Sequence, residues 1–139
     1  MKTKILSIML LIMTSILISS CSRDSKSDGQ VTEKAVYRKI SAQEAKKMME
    51  ETEDYILVDV RTEQEFNAGH IEGALLIPDY EIKGTEVKEL PDKDALILLY
   101  CRSGRRSAEA AHRMIQMGYT NLYDFGGIID WPYEIVKEQ

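Results

Sequence analysis

The apolar run "ALILLY", residues 95 to 100, passes without a break into the polar loop "CRSGRRS" and then into the Ala-rich stretch "SAEAAHRMIQMG" that ends at Gly118. A strand with apolar residues at both odd and even positions has no face left for water, so other elements must cover it on both sides. Leading straight into a helix, it forms the opening half of a parallel crossover. The rest of the sequence repeats the alternation. "SAQEAKKMMEE" opens on Ser41 with Glu44 three places on, a capping-box pattern, and puts Ala45, Met48 and Met49 on one helical face. "YILVDV", residues 55 to 60, is a second doubly covered strand, and "TEQEFNAGH" is helical up to Gly69. "ALLIP" from Ala74 is a short strand closed by Pro78. A helical turn is predicted over Thr85 to Leu90, a chain reversal at "PDKD", a helix from Ser107, and a last strand at "NLYDF" before Gly126 and Gly127, which permit a turn. Strands alternating with helices make an α/β domain with a largely parallel sheet.

The first 20 residues do not fit that plan. Lys2 and Lys4 precede the apolar block from Ile5 to Ile18, and small residues follow it, which is the layout of a secretory signal peptide. The block is shorter than the roughly 20 residues of a spanning helix, so a retained transmembrane anchor is the weaker alternative. "ISSC" at its end resembles the lipobox of bacterial lipoproteins, which makes Cys21 the expected lipidation site. The chain would then be exported and anchored by lipid to an envelope membrane. Residues 21 to 32, Ser-rich and nearly free of apolar side chains, read as a flexible tether, and residues 33 to 139 as one domain.

Charge and cysteine usage exclude several functions. The chain has 18 basic and 23 acidic residues, and loss of Lys2 and Lys4 leaves 16 basic ones, a balance of −7. Nucleic acid is therefore not an expected partner, since it selects basic surfaces. With Cys21 committed to lipid, Cys101 has no intramolecular partner, so a structural disulfide is excluded and a thiolate metal cluster is not expected. No metal or cofactor is expected. A lone thiol in an oxidising compartment is a hazard, which argues that it has a task.

Cys101 follows the most apolar strand and precedes a helix, so it stands at the carboxyl edge of the sheet, where open α/β sheets bind ligands. Helix N–H groups and adjacent cations favour thiolate over thiol. Gly104 permits a tight bend, so that successive N–H groups face inward as an anion nest, with Arg102, Arg105 and Arg106 attracting a dianion. The polar loop argues against burial of the sulfur.

"LVDVRTEQEFNAGHIEGALLIP", "CRSGRRS" and "YDFGGIIDW" occur in this order over nearly all of the domain, and together they resemble the rhodanese family of single-domain sulfurtransferases. The resemblance implies a three-layer α/β/α fold around a mostly parallel five-stranded sheet. It also implies a cysteine persulfide that takes sulfane sulfur from thiosulfate or a similar small anionic donor and passes it to a thiophilic acceptor such as cyanide or a thiol. Cys101 is then the catalytic nucleophile, and Arg102, Ser103, Gly104, Arg105, Arg106 and Ser107 bind the substrate. Arg106 occupies the place of an arginine common in that loop. Asp59 and Arg61 match the family's "DVR" and His70 its "GH"; all three are expected to be structural. His112 is expected to be exposed, Trp131 to anchor the core, and the domain to act as a monomer.

Other readings remain open: a catalytically idle rhodanese-like binding module, a persulfide carrier serving a protein thiol, and a thiol phosphatase or arsenate reductase on a related loop. Against the last, Arg106 is the fifth residue after Cys101, whereas the phosphatase pattern C-x₅-R requires it at the sixth. Two stretches depart from the family pattern: the tail "PYEIVKEQ" and the short acidic segment between Pro78 and Pro91.

Overall fold

The computed structural model describes residues 36 to 137. The predicted signal peptide, Cys21 and the predicted tether lie outside the described residues. Five strands, β1 (Val36–Lys39), β2 (Tyr55–Asp59), β3 (Leu75–Leu76), β4 (Leu96–Cys101) and β5 (Asn121–Gly127), form a wholly parallel sheet in the order β1-β5-β4-β2-β3. Three helices, α1 (Ala42–Glu51), α2 (Glu63–Ala68) and α3 (Arg105–Gln116), and a 3₁₀ turn at Ile128–Asp130 complete the described chain.

β4 shows why the layers form. Its side chains alternate across the sheet, and both sets are apolar. Ile97, Leu99 and Cys101 pack against Ala110, Ala111 and Met114 of α3. Leu98 and Tyr100 pack with Ala42 and Ala45 of α1 on the other face. Small alanines let each helix lie close to the sheet, and every fully buried aliphatic side chain contributes about 1.5–3 kcal/mol. The result is the expected α/β/α arrangement, with Cys101 on the α3 face.

Some elements differ from expectation. β1 carries no apolar run, because two of its four residues are exposed at the sheet edge and only pairing with β5 makes it a strand. The turn predicted as helical over Thr85 to Leu90 is not a helix. There the buried Tyr119 hydroxyl accepts the Val87 N–H at 3.0 Å and lies 2.8 Å from the Leu90 carbonyl, so a side chain from far along the sequence satisfies both backbone groups and fixes the segment on a non-helical path. β3 shrinks to two residues. The tail is docked: Val136 and His70 form an antiparallel bridge, with N–H···O distances of 2.8 and 2.9 Å.

Candidate active site

The chain leaves β4 at Cys101 and turns through Arg102, Ser103 and Gly104. Gly104 has φ of +97°, a left-handed conformation that glycine adopts without a side-chain clash. That single backbone choice moves the start of α3. The helix begins at Arg105 with Gly104 as its N-cap, two residues earlier than the serine start predicted from sequence. Ser107 instead lies in the first turn, fully buried, its hydroxyl 3.1 Å from the Gly104 carbonyl and 3.4 Å from the Gly126 carbonyl.

The Cys101 sulfur accepts the Gly104 N–H at 3.0 Å. Cys101 is 1 % exposed, which corrects the expectation that a polar loop would leave it open. The cause is β4's pleat, which turns residue 101 inward under α3 whatever the polarity of the residues after it. Among the described residues this backbone N–H is the sulfur's one hydrogen-bond donor, and no side-chain base contacts it.

The three arginines have separate environments. Arg105 pairs with Glu109 one turn on, at 2.9 Å, with its side chain 74 % exposed. Arg106 grips Glu65 of α2 with both terminal nitrogens, at 2.8 and 2.7 Å. Arg102 is exposed and makes no ion pair among the described residues. Among the described residues the loop arginine without an ion pair is therefore Arg102, while Arg106 joins two helices. The guanidinium of Arg106 is the main cause that pulls the Glu65 carboxyl down to about 2, and Thr62 supplies two further hydrogen bonds. Sequence reasoning missed Glu65. Its capping-box relation to Thr62 is legible in "TEQE", but its partner lies 41 positions away.

Asp59, Arg61 and His70 make their contacts outside the 101–107 loop. Arg61 brackets the fully buried Asp59 carboxyl at 2.6 to 3.0 Å and donates to the Gly69 carbonyl at 2.8 Å, tying the end of β2 to the end of α2. A ring nitrogen of His70 lies 3.0 Å from the Phe66 carbonyl, and the two rings stack at 3.7 Å. Neither arrangement leaves a group aimed at Cys101.

The 3₁₀ end of β5 closes the loop from the other side. Gly127 has an ordinary extended conformation, so the turn that sequence assigned to it does not explain the glycine. Space does. A Cβ at Gly127 would collide with the Arg102 carbonyl oxygen and lie 2.6 Å from the Ser103 Cα. A thiol held by a backbone donor at a helix start, in a loop flanked by exposed cations, suits nucleophilic chemistry on a small anion.

Comparison with known proteins decides the family: the Rhodanese-like domain matches residues 41–132. The chain belongs to the rhodanese-like family. A thiosulfate sulfurtransferase, PspE, of Escherichia coli K12 is 36% identical over 80 residues, spanning 58% of this chain and 77% of that one. A sulfurtransferase of Allochromatium vinosum is 39% identical over 93 residues, spanning 66% and 85%. A solved rhodanese with anions from E. coli superposes with a TM-score of 0.55 at 33% identity, covering 60% of this chain and 99% of that chain.

In this rhodanese-like domain the Glu65–Arg106 pair contributes acid-sensitive stability. Folding holds the Glu65 carboxyl below its ordinary value near 4.5, so its contribution is complete above that value and is lost as pH falls towards about 2. Thermal unfolding of wild type and Glu65→Gln should differ at pH 7, with the wild type more stable, and the gap should shrink between pH 4.5 and 2. A constant gap over that range would show that the pair does not titrate with folding.

Proposed function

We propose that this rhodanese-like protein is a sulfurtransferase that carries sulfane sulfur on Cys101, taking it from thiosulfate or a similar anionic donor and giving it to cyanide or a thiol. The observation that carries the reading is the 3.0 Å hydrogen bond from the Gly104 N–H to the Cys101 sulfur at the start of α3, a donor that holds negative charge on sulfur without a general base. The names of the two sulfurtransferase relatives support the reaction class, and that of the E. coli relative supports thiosulfate.

In the first step the Cys101 thiolate attacks the outer sulfur of thiosulfate. A new S–S bond forms, the bond to the sulfonate sulfur breaks, and its electron pair leaves on sulfite. The terminal sulfur of the persulfide then carries the negative charge among the loop N–H groups. In the second step the acceptor attacks that terminal sulfur. Cyanide leaves as thiocyanate and the Cys101 thiolate returns, so no outside oxidant or reductant is consumed. Exposed Arg102 and Arg105 raise the local concentration of the donor, an attraction screened beyond roughly 8 Å at physiological salt.

Intact-mass measurement after thiosulfate treatment tests this. The protein should gain one sulfur atom, and cyanide should remove it with release of thiocyanate. The burial of Cys101 favours a second reading, a non-catalytic binding module, because a donor reaches so enclosed a sulfur only if its surroundings move. No gain of sulfur from thiosulfate, polysulfide or mercaptopyruvate would establish that module instead.

We also propose that lipid on Cys21 anchors the protein to an envelope membrane, on the strength of "ISSC" and the polar residues after it. The full chain, expressed in a bacterium that processes lipoproteins, should incorporate labelled fatty acid and enter the detergent phase. A Cys21→Ser variant that still took up label would refute it.

A further inference from the structure

Asp124 of β5 is fully buried and has no part in the chemistry described above. It follows Leu122 by two residues, so it points to the same face of the sheet, the face that carries Cys101. Leu122 and Leu99 beside it on that face are apolar, and a leucine would cost nothing there in desolvation, whereas a buried carboxyl must recover its lost hydration through hydrogen bonds. Among the described residues two donors reach the side chain. The Gly126 N–H approaches Oδ1 at 3.0 Å, and the Tyr37 hydroxyl, from β1, approaches Oδ2 at 3.3 Å. Tyr37 is itself braced by the His112 ring of α3, with centroids 5.1 Å apart.

The bond to Gly126 is the first link of a short path to the sulfur. The Gly126 carbonyl lies 3.4 Å from the Ser107 hydroxyl, which also lies 3.1 Å from the Gly104 carbonyl. The Gly126 Cα stands 3.2 Å from where a Cβ on Gly104 would be, so the two glycine backbones are in direct contact. The Gly104 N–H then holds the Cys101 sulfur. We propose that Asp124 is a positioning residue for sulfur transfer, its carboxyl pinning the turn at Gly126 so that Gly104 is pressed into hydrogen-bonding position against Cys101.

The inference rests on Cys101 being the sulfur carrier. Its effect passes through two backbone contacts, and a shift of the Gly104 N–H by a fraction of an ångström weakens both its bond to the sulfur and the anion nest. Binding of the donor depends on the exposed arginines instead, so the turnover rate should suffer more than the KM.

The test compares Asp124→Ala, Asp124→Asn and Tyr37→Phe in the full chain by two measurements. One is steady-state transfer from thiosulfate to cyanide; the other is alkylation of Cys101 by iodoacetamide, which needs no sulfur donor. Asp124→Ala should lower kcat by about tenfold or more with a smaller change in KM, and should slow alkylation to a similar degree. Asp124→Asn keeps an amide oxygen for the Gly126 N–H and should recover most of both rates. Tyr37→Phe should fall between them. A folded Asp124→Ala protein with wild-type kcat and alkylation rates would overturn the proposal, as would equal damage from Ala and Asn, which would mean that the group acts through its charge. If Asp124→Ala does not fold, Tyr37→Phe decides, since an unchanged alkylation rate there refutes the proposal and a slower one supports it. Should the wild type transfer no sulfur at all, the alkylation series still judges the positioning role, so the two failures remain distinct.

Discussion

Replacing Cys101 with serine is expected to abolish sulfur uptake from thiosulfate and transfer to cyanide, to the level of the uncatalysed background. A serine hydroxyl is a far weaker nucleophile than a thiol, and oxygen cannot form the S–S bond on which the cycle depends. The fold should persist, because the change is small in volume and a serine oxygen can accept the Gly104 N–H in place of sulfur. Thermal unfolding should therefore show a protein close to wild type while intact mass shows no added sulfur. The only other cysteine of the chain is Cys21. Sulfur uptake by Cys101→Ser at the wild-type rate would move the carrier there and remove the basis of the proposed function.

Gly127→Ala should have the second largest effect, and for a different reason. The conformation at Gly127 suits any residue, so the chain's intrinsic preferences do not object to alanine. The added methyl would overlap the Arg102 carbonyl oxygen and crowd the Ser103 Cα at 2.6 Å, and both are backbone atoms that cannot rotate away. Either β5 or the loop must shift. Overpacking of this kind costs about 1–3 kcal/mol of stability. A loop displaced by about 1 Å loses on the order of a hundredfold in rate, because the Gly104 N–H no longer points at the sulfur. Measured kcat/KM should thus fall much further than the melting temperature alone would explain. An alanine variant of wild-type activity would mean that the loop and β5 are not in contact in solution.

Much of this was legible in the sequence, and the reasons are local. "ALILLY" is apolar at every position, so burial on both faces and a parallel sheet follow from strand geometry alone. Ser41 and Glu44 mark the start of α1 because a capping box involves residues only three apart, and the structure shows both of its bonds. A cysteine after such a strand and before a helix must stand at the carboxyl edge of the sheet, and Cys101 does. The motifs quoted from residues 57 to 131 were enough to identify the family that the comparisons show.

What only the tertiary structure decided concerns residues whose partners lie far along the chain. "VYRK" becomes a strand because β5 is beside it, and neither its composition nor its alternation says so. Arg106 reads in sequence as the loop arginine that binds substrate, yet folding brings Glu65 across to pair with it and leaves Arg102 facing solvent. Gly127 looks like a turn glycine, and the packed loop shows it is there for room. Asp124, which nothing in the sequence sets apart, is completely enclosed. Sequence determined the elements and the place of the nucleophile, since periodicity and capping act over three or four residues. The field around the sulfur was settled by the fold, since a charge acts according to its distance and burial in space, and both depend on how strands remote in sequence are ordered in the sheet.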